Sequence, residues 1–247
     1  MRVRPRRVRS GDASSCAQVL AGVADDVFGS LRTLVDALAA RWCVTARDGA
    51  MGSADLVDLR PLVFDSLAHH AIFDGAGFVF AEGTLRGRDR YLEWWHPEDG
   101  GHHRPLVLEL EVGAPDCYDY YALDWFRAGL SEHRRFVSGP LIDLPCGSAC
   151  VLTFAEPVVV EGRFLAVAGA DVALGRFEDE LVPPLLDLAV PAVLVNAERR
   201  VIVANDARWT TGEKLKAMPV ADDAAWSATV PVTDDLGWVL ATAHAGA

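Results

Sequence analysis

Nothing in this 247-residue chain is apolar for long enough to cross a bilayer, and no apolar core follows the basic opening Met1-Arg-Val-Arg-Pro-Arg-Arg-Val-Arg9. The expectation is a soluble, cytoplasmic protein with no membrane contact, whose first 13 residues form a disordered basic arm. No nucleophile elbow, phosphate loop or zinc-hydrolase signature occurs, so no chemical step is expected. Cysteine is scarce and odd in number: Cys16, Cys43, Cys117, Cys146 and Cys150 are the 5 present, which predicts reduced thiols. Cys146-Gly-Ser-Ala-Cys150 has no second pair to complete the roughly four ligands of a zinc site. Histidines 69, 70, 102 and 103 stand as adjacent pairs whose side chains diverge, so neither metal nor cofactor is expected. Positive charge is in deficit. The net charge of −12 and pI near 4.9 disfavour nucleic acid and anionic membranes as partners and are compatible with a cationic ligand.

Hydrophobic residues are abundant, 51% of the chain, enough for one large domain or for one domain with a small companion. Leu20, Val23, Val27, Leu31, Leu34, Leu38 and Trp42 recur at gaps of three and four, the apolar stripe of a long helix. At 1.5 Å per residue such a helix runs about 40 Å. Part of its stripe is available to a second copy, so a homodimer through this helix is expected. A second helix is expected over 54–70. Strands follow over 78–82, 88–96 and 106–112, with the polar hairpin Pro97–Arg104 between the latter two.

The segment Asp116–Leu130 reads as turn and short helix, with five aromatics and three aspartates in its first eleven residues. Phe136–Leu174 then reads as three strands, 136–142, 150–160 and 163–172, the last two joined by the tight turn Glu161-Gly162. Beyond it, a helix over 173–188 carries Pro183-Pro184 and is expected to break or kink there. The hairpin 191–205, a helical stretch 206–216 and a final strand pair 225–243 complete the chain. This tail is either a reduced second lobe or an extension of the first sheet.

Gly139-Pro140, Asp143, Thr153, Pro157-Val158, Gly162, Phe164, Gly169, Asp171 and Leu174 occur in the order and spacing of a known pattern. On these residues the chain resembles the Cache family of sensor domains. The resemblance implies an α+β, PAS-like fold in which the long helix packs on a central antiparallel sheet. It implies a ligand-binding domain over 14–175, followed by a connecting helix and small PAS-like lobe over 176–247. Most Cache domains lie outside the membrane between two transmembrane helices, and this chain shows neither. The implied function is reversible binding of a small organic ligand, with the signal passed to a separate regulatory protein.

An aspartate at the inner end of an apolar strand is costly unless paired. Asp171 is therefore either a structural cap or the floor of a binding site. Asp143 either lines the same pocket or caps the turn into Pro145. Trp94 and Trp95 are neighbours in a predicted strand, so one faces the side of Leu92 and the other the side of Glu93. Aromatic faces with nearby carboxylates form the composition of a cation site. The candidate ligand-binding set is Trp95, Tyr121, Asp124, Trp125, Asp143 and Asp171.

In amino-acid-sensing Cache domains the resemblance implies an arginine two residues before the aromatic pair, as a clamp for the ligand carboxylate, and a terminal-strand aspartate for the amino group. Here Leu123 occupies the clamp position, while Asp171 is in place. An amine or other small cation is the resulting expectation. The alternatives are an amino acid or small carboxylate, with Arg127 or Arg135 as a substitute clamp, and a structural or partner-binding domain whose pocket is filled by its own side chains.

Overall fold

The protein is described here by a computed structural model that places residues 10–45, 51–142 and 150–244. Asp143, Cys146 and the opening residues 1–9 lie outside the described residues. The fold is mixed α+β, with a long N-terminal helix and antiparallel sheets. The chain divides into two compact units. One comprises Val27–Ser138 and Ile142–Leu174, and the other the chain up to Asp26, Gly139–Leu141 and everything from Gly175 onward.

Helix α1 (Ser10–Thr45) is 36 residues long, longer than the stripe alone requires, and contributes to both units. Leu20, Val27, Leu31, Leu34 and Leu38 are buried as the three-four spacing demands, while Trp42 is only half-buried beneath the Arg163 guanidinium at 5.0 Å. Helix α2 (Arg60–His69) opens with Pro61 in its first turn, where the missing amide hydrogen costs nothing.

The larger unit is built on a six-stranded sheet of order β3-β2-β1-β6-β5-β4. Its strands are β1 (Phe73–Phe80), β2 (Tyr91–Pro97), β3 (His103–Pro105), β4 (Phe136–Ile142), β5 (Cys150–Val160) and β6 (Arg163–Ala173). β1 and β6 are central, and β6 is apolar and buried along nearly its whole length because both of its faces are covered. The β5–β6 turn has Glu161 at φ 52° and Gly162 at φ 79°, two successive left-handed residues that match the right-handed twist of a hairpin.

Register then decides what each face presents. On one face stand Leu92 and Trp94 of β2, Val79 and Gly77 of β1, Val167 and Gly169 of β6, and Ala155 of β5. One step along lie Gly75, Asp171 and Thr153 in a row. The opposite face carries Tyr91, Glu93 and Trp95 with Phe78, Ala168 and Phe154, and meets the helices: Phe28 of α1 packs on Phe154 at 5.2 Å and Phe64 of α2 meets Trp95 edge-on at 5.1 Å.

The smaller unit has its own four-stranded antiparallel sheet, order β8-β7-β10-β9, made of β7 (Ala192–Val195), β8 (Val201–Ala204), β9 (Trp226–Thr233) and β10 (Trp238–Ala243). It encloses a separate cluster of Val193, Val195, Val201 and Ala241, with Trp209 stacked on Trp226 at 5.7 Å beside it.

Three sequence expectations are corrected. The strand expected over 106–112 is not one: β3 ends at Pro105, and after Leu106 N–H bonds Trp94 O the chain leaves the ladder. Its apolar residues Leu106, Leu108 and Leu110 still turn inward, which is why it reads as a strand. Residues 206–216 are turns, because the Gly212 and Leu215 amides bond the Val201 and Arg199 carbonyls and tie the segment to the β8 hairpin. Helix α4 (Leu174–Leu186) continues through Pro183-Pro184. The carbonyls that lose their donors belong to Asp179 and Glu180, both exposed to water.

Candidate functional site

The face that carries Asp171 is roofed by residues 106–132. Two elements hold the roof at its far end. Tyr120, fully buried, donates its hydroxyl to Phe80 O at 2.8 Å, and Phe126 of α3 (Asp124–Glu132) meets Tyr120 at 4.8 Å and Phe164 at 5.5 Å, both edge-on. Burying a side chain such as Phe126 contributes about 1.5–3 kcal/mol. Arg90 adds a fork, bonding Glu82 at 3.1 Å and Asp119 at 2.8 Å.

Between roof and sheet lies a cavity of about 30 Å3. Asp171 and Thr153 form its polar end. Trp94, Trp125 and Tyr118 supply ring faces, and Val79, Leu92, Leu106 and Leu108 complete the walls. Asp171 is 8% exposed, and Thr153 donates its hydroxyl to Asp171 Oδ1 at 2.7 Å. Among the described residues, Asp171 is the one carboxyl of the lining, and no arginine or lysine contributes to it.

The floor is made of glycine for a steric reason. A Cβ on Gly75 would lie 2.6 Å from Trp94 Nε1, and one on Gly169 would lie 3.1 Å from the far edge of the same indole. The Trp94 ring therefore lies flat across two strands, as only bare backbone allows. Beside it, His96 donates through Nδ1 to Asp74 O at 2.7 Å. Trp94 Nε1 and His96 Nε2 are both buried without a hydrogen-bond partner among the described residues.

Of the residues singled out by sequence, the structure brings Asp171 and Trp125 to this cavity. Trp95 is on the other face, a correction that follows from strand alternation. Its Nε1 donates to Glu93 Oε1 at 3.1 Å, and the Arg60 guanidinium sits over its ring at 5.0 Å. Trp94 takes the place expected of it. Tyr121 accepts the Glu82 amide at 2.6 Å and lies under Arg90, with Tyr118 lining the cavity instead. Asp124 is exposed at the first residue of α3, where a carboxylate complements the helix dipole. The substitute clamps are elsewhere: Arg127 is exposed and Arg135 sits over Phe28 at 4.5 Å. Trp94 was legible from parity with Leu92. Thr153 belonged to the matched pattern without a role, and Tyr118 carried no signal beyond the aromatic cluster.

Glu93 shows what the helix face does with a carboxylate. Buried at 5% exposure, it accepts from Arg60 Nε at 2.6 Å, Trp95 Nε1 at 3.1 Å and the Tyr91 hydroxyl at 2.8 Å. Burial and the adjacent Glu93 push the Tyr91 phenol up to about 12. This carboxylate is satisfied internally and is structural. A wider cleft of about 810 Å3 separates residues 107–112 from Gly87–Glu93, but it is open; of its three arginines, 60 and 90 are paired with carboxylates and Arg88 lies over the Tyr91 ring at 5.7 Å.

Comparison with known proteins fits this geometry. Residues 59–179 match the family described as methyl-accepting chemotaxis protein-like, first PDC sensor domain. A stretch of 121 residues, 49% of this chain, is 30% identical to the methyl-accepting chemotaxis protein PscA of Pseudomonas syringae pv. tomato and spans 19% of that receptor. The ligand-binding domain of the Campylobacter jejuni chemoreceptor Tlp3 in complex with L-valine is similar with a TM-score of 0.62 at 10% identity, over 96% of this chain and 90% of that one. The ligand-binding domain of the Pseudomonas aeruginosa amino acid chemoreceptor PctB in complex with L-Arg gives 0.59 at 15% identity, over 96% and 93%. At such identities the likeness shows the fold, that of chemoreceptor-type PDC (Cache) sensor domains. No helix among the described residues is long and apolar enough to cross a membrane.

Proposed function

We propose that this chain is a sensor module that reversibly binds a small organic amine in the roofed cavity and passes the event to a partner protein or module. The observation that carries the reading is Asp171, a buried carboxylate at the polar end of an otherwise aromatic and aliphatic cavity, held in one orientation by Thr153. A protonated amine is the group that best repays burying such a charge, and ring faces beside it add roughly 0.5–2 kcal/mol each. Ligand pockets generally measure roughly 300–1,000 Å3. A volume of about 30 Å3 holds one or two waters, so the ligand makes room by displacing the wall formed by Leu106, Leu108 and Tyr118. A closed arrangement selected by ligand is the signal.

Amino acids are the first class to test, supported by the similar chemoreceptor domains solved in complex with L-valine and L-Arg. A second reading, amines without a carboxylate, rests on the absence of any basic residue from the described lining. The experiment is a thermal-shift panel of amino acids, amines, quaternary ammonium compounds and small carboxylates, run on the wild type and on Asp171→Asn. A ligand at 100 times its dissociation constant stabilises by about 2.7 kcal/mol. A hit that carries an amine and is lost in Asp171→Asn supports the reading. Hits confined to carboxylates, or hits that survive in the variant, overturn it. Silence across the panel favours a domain whose cavity is filled by its own side chains.

A further inference from the structure

Trp94 is 7% exposed, lines the cavity, and its Nε1–H has no partner among the described residues. An indole usually finds an acceptor when it is buried, and neither the described cavity lining nor the neighbouring His96 ring supplies one to this donor. Its position is fixed. Nε1 stands over Gly75, and Gly75 is the direct cross-strand neighbour of Asp171. Side-chain positions so paired are separated by about 4.5–5.5 Å. The donor thus stands over the strand next to Asp171, beside the polar end of the cavity. Gly169 under the far edge of the ring holds the indole in that pose.

Resting on the reading of Asp171 as the amine anchor, we propose that Trp94 is a specificity-determining contact: its Nε1–H donates to an acceptor carried next to the ligand's amine. The ligand is then an amine with a neighbouring hydroxyl or carboxylate oxygen, and a plain alkylamine is discriminated against. The indole does from the sheet what a guanidinium would do from the roof, where Leu123 is found. As a neutral donor it serves a hydroxyl and a carboxylate alike.

Three probes that share the isobutylamine core test this: isobutylamine itself, valinol and L-valine, which add CH2OH and COO− at the amine carbon, titrated calorimetrically into the wild type and into protein with 3-benzothienylalanine at position 94. That residue replaces the N–H by sulfur within the same outline. The expected result is that valinol or L-valine binds the wild type about five- to tenfold more tightly than isobutylamine, and that this preference disappears in the variant while isobutylamine is unaffected. Whether valinol or L-valine gains more separates the hydroxyl from the carboxylate class. A preference retained in the variant, or no preference in the wild type, overturns the proposal. Binding of none of the three counts against the amine reading itself, and the unliganded variant then decides Trp94. An orphan N–H predicts a melting temperature equal to or above the wild type, whereas a drop of several degrees shows the N–H already paired and overturns the inference.

Discussion

Thr153 on β5 and Asp171 on β6 are directly opposed in the ladder, and the threonine hydroxyl donates to the carboxylate across 2.7 Å. A buried carboxylate without donors is costly, so Thr153 both stabilises the sheet and helps to orient Asp171. Thr153→Val, which keeps the shape and removes the hydroxyl, is expected to lower stability by about 1.5–3 kcal/mol in urea unfolding and to weaken the binding of any amine hit. Unchanged stability and affinity would show that Asp171 is oriented by other contacts.

Gly75 and Gly22 make an informative pair. Alanine at Gly75 forces the Trp94 indole and the His96 ring aside, and the expected cost is about 1–3 kcal/mol together with loss of ligand-induced stabilisation. Gly22 lies on the exposed side of α1 with nothing within 4 Å of a new Cβ. Gly22→Ala is expected to stabilise by about 0.5–1 kcal/mol. Equal effects of the two substitutions on the melting temperature would refute the close-approach account of the floor.

The helix face predicts a different response. Arg60→Met keeps much of the aliphatic stem but takes one of three donors from buried Glu93. A loss of about 1.5–3 kcal/mol is expected in denaturant titration, with ligand affinity nearly unchanged because Glu93 lies across the sheet from the cavity. A selective loss of affinity at constant stability would mean that the two faces are coupled.

Cys16 is buried on α1, its thiol donates to Pro184 O at 3.3 Å, and burial together with Asp187 pushes it up from 9.0 to about 11. The folded state therefore holds this proton more tightly than the unfolded chain. The associated stability is present below about pH 9 and is lost as pH rises from 9 towards 11. Cys16→Ala is expected to flatten that part of the alkaline decline. Under native conditions at pH 8, iodoacetamide should label exposed Cys43 well before Cys16, as peptide mass mapping would show. Equal rates would contradict the burial of Cys16.

Much of this architecture is written in the order of residues. The three-four spacing of Leu20 to Leu38 reports a helix that buries one stripe, and Glu161-Gly162 between two β-rich runs reports a hairpin, because each is a local rule acting on neighbouring residues. The site divides along the same line. Asp171 at the end of an apolar strand was legible as a carboxylate needing a reason. Choosing Trp94 over Trp95 required parity, and Leu92 and Glu93 on either side contain it. Leu106, Leu108 and Leu110 defeat the same logic. Their alternation records which way the side chains point, and a strand also needs a partner that accepts its amides, which alternation does not encode. Residues 206–216 failed for a related reason: their amides are claimed by Val201 and Arg199, whose proximity is a tertiary fact.

The segment that walls the cavity without belonging to the sheet has a consequence for how such a protein changes over generations. Leu106 and Leu108 line the cavity, yet beyond the bond from Leu106 to Trp94 their stretch leaves the ladder that holds the fold together. Insertions, deletions and new side chains there alter what is admitted while leaving the β1–β6 centre intact. Taste and durability are thus inherited through different parts of one chain. On the proposed reading, a change of ligand asks for new residues at a few roof positions and leaves the sheet as it is.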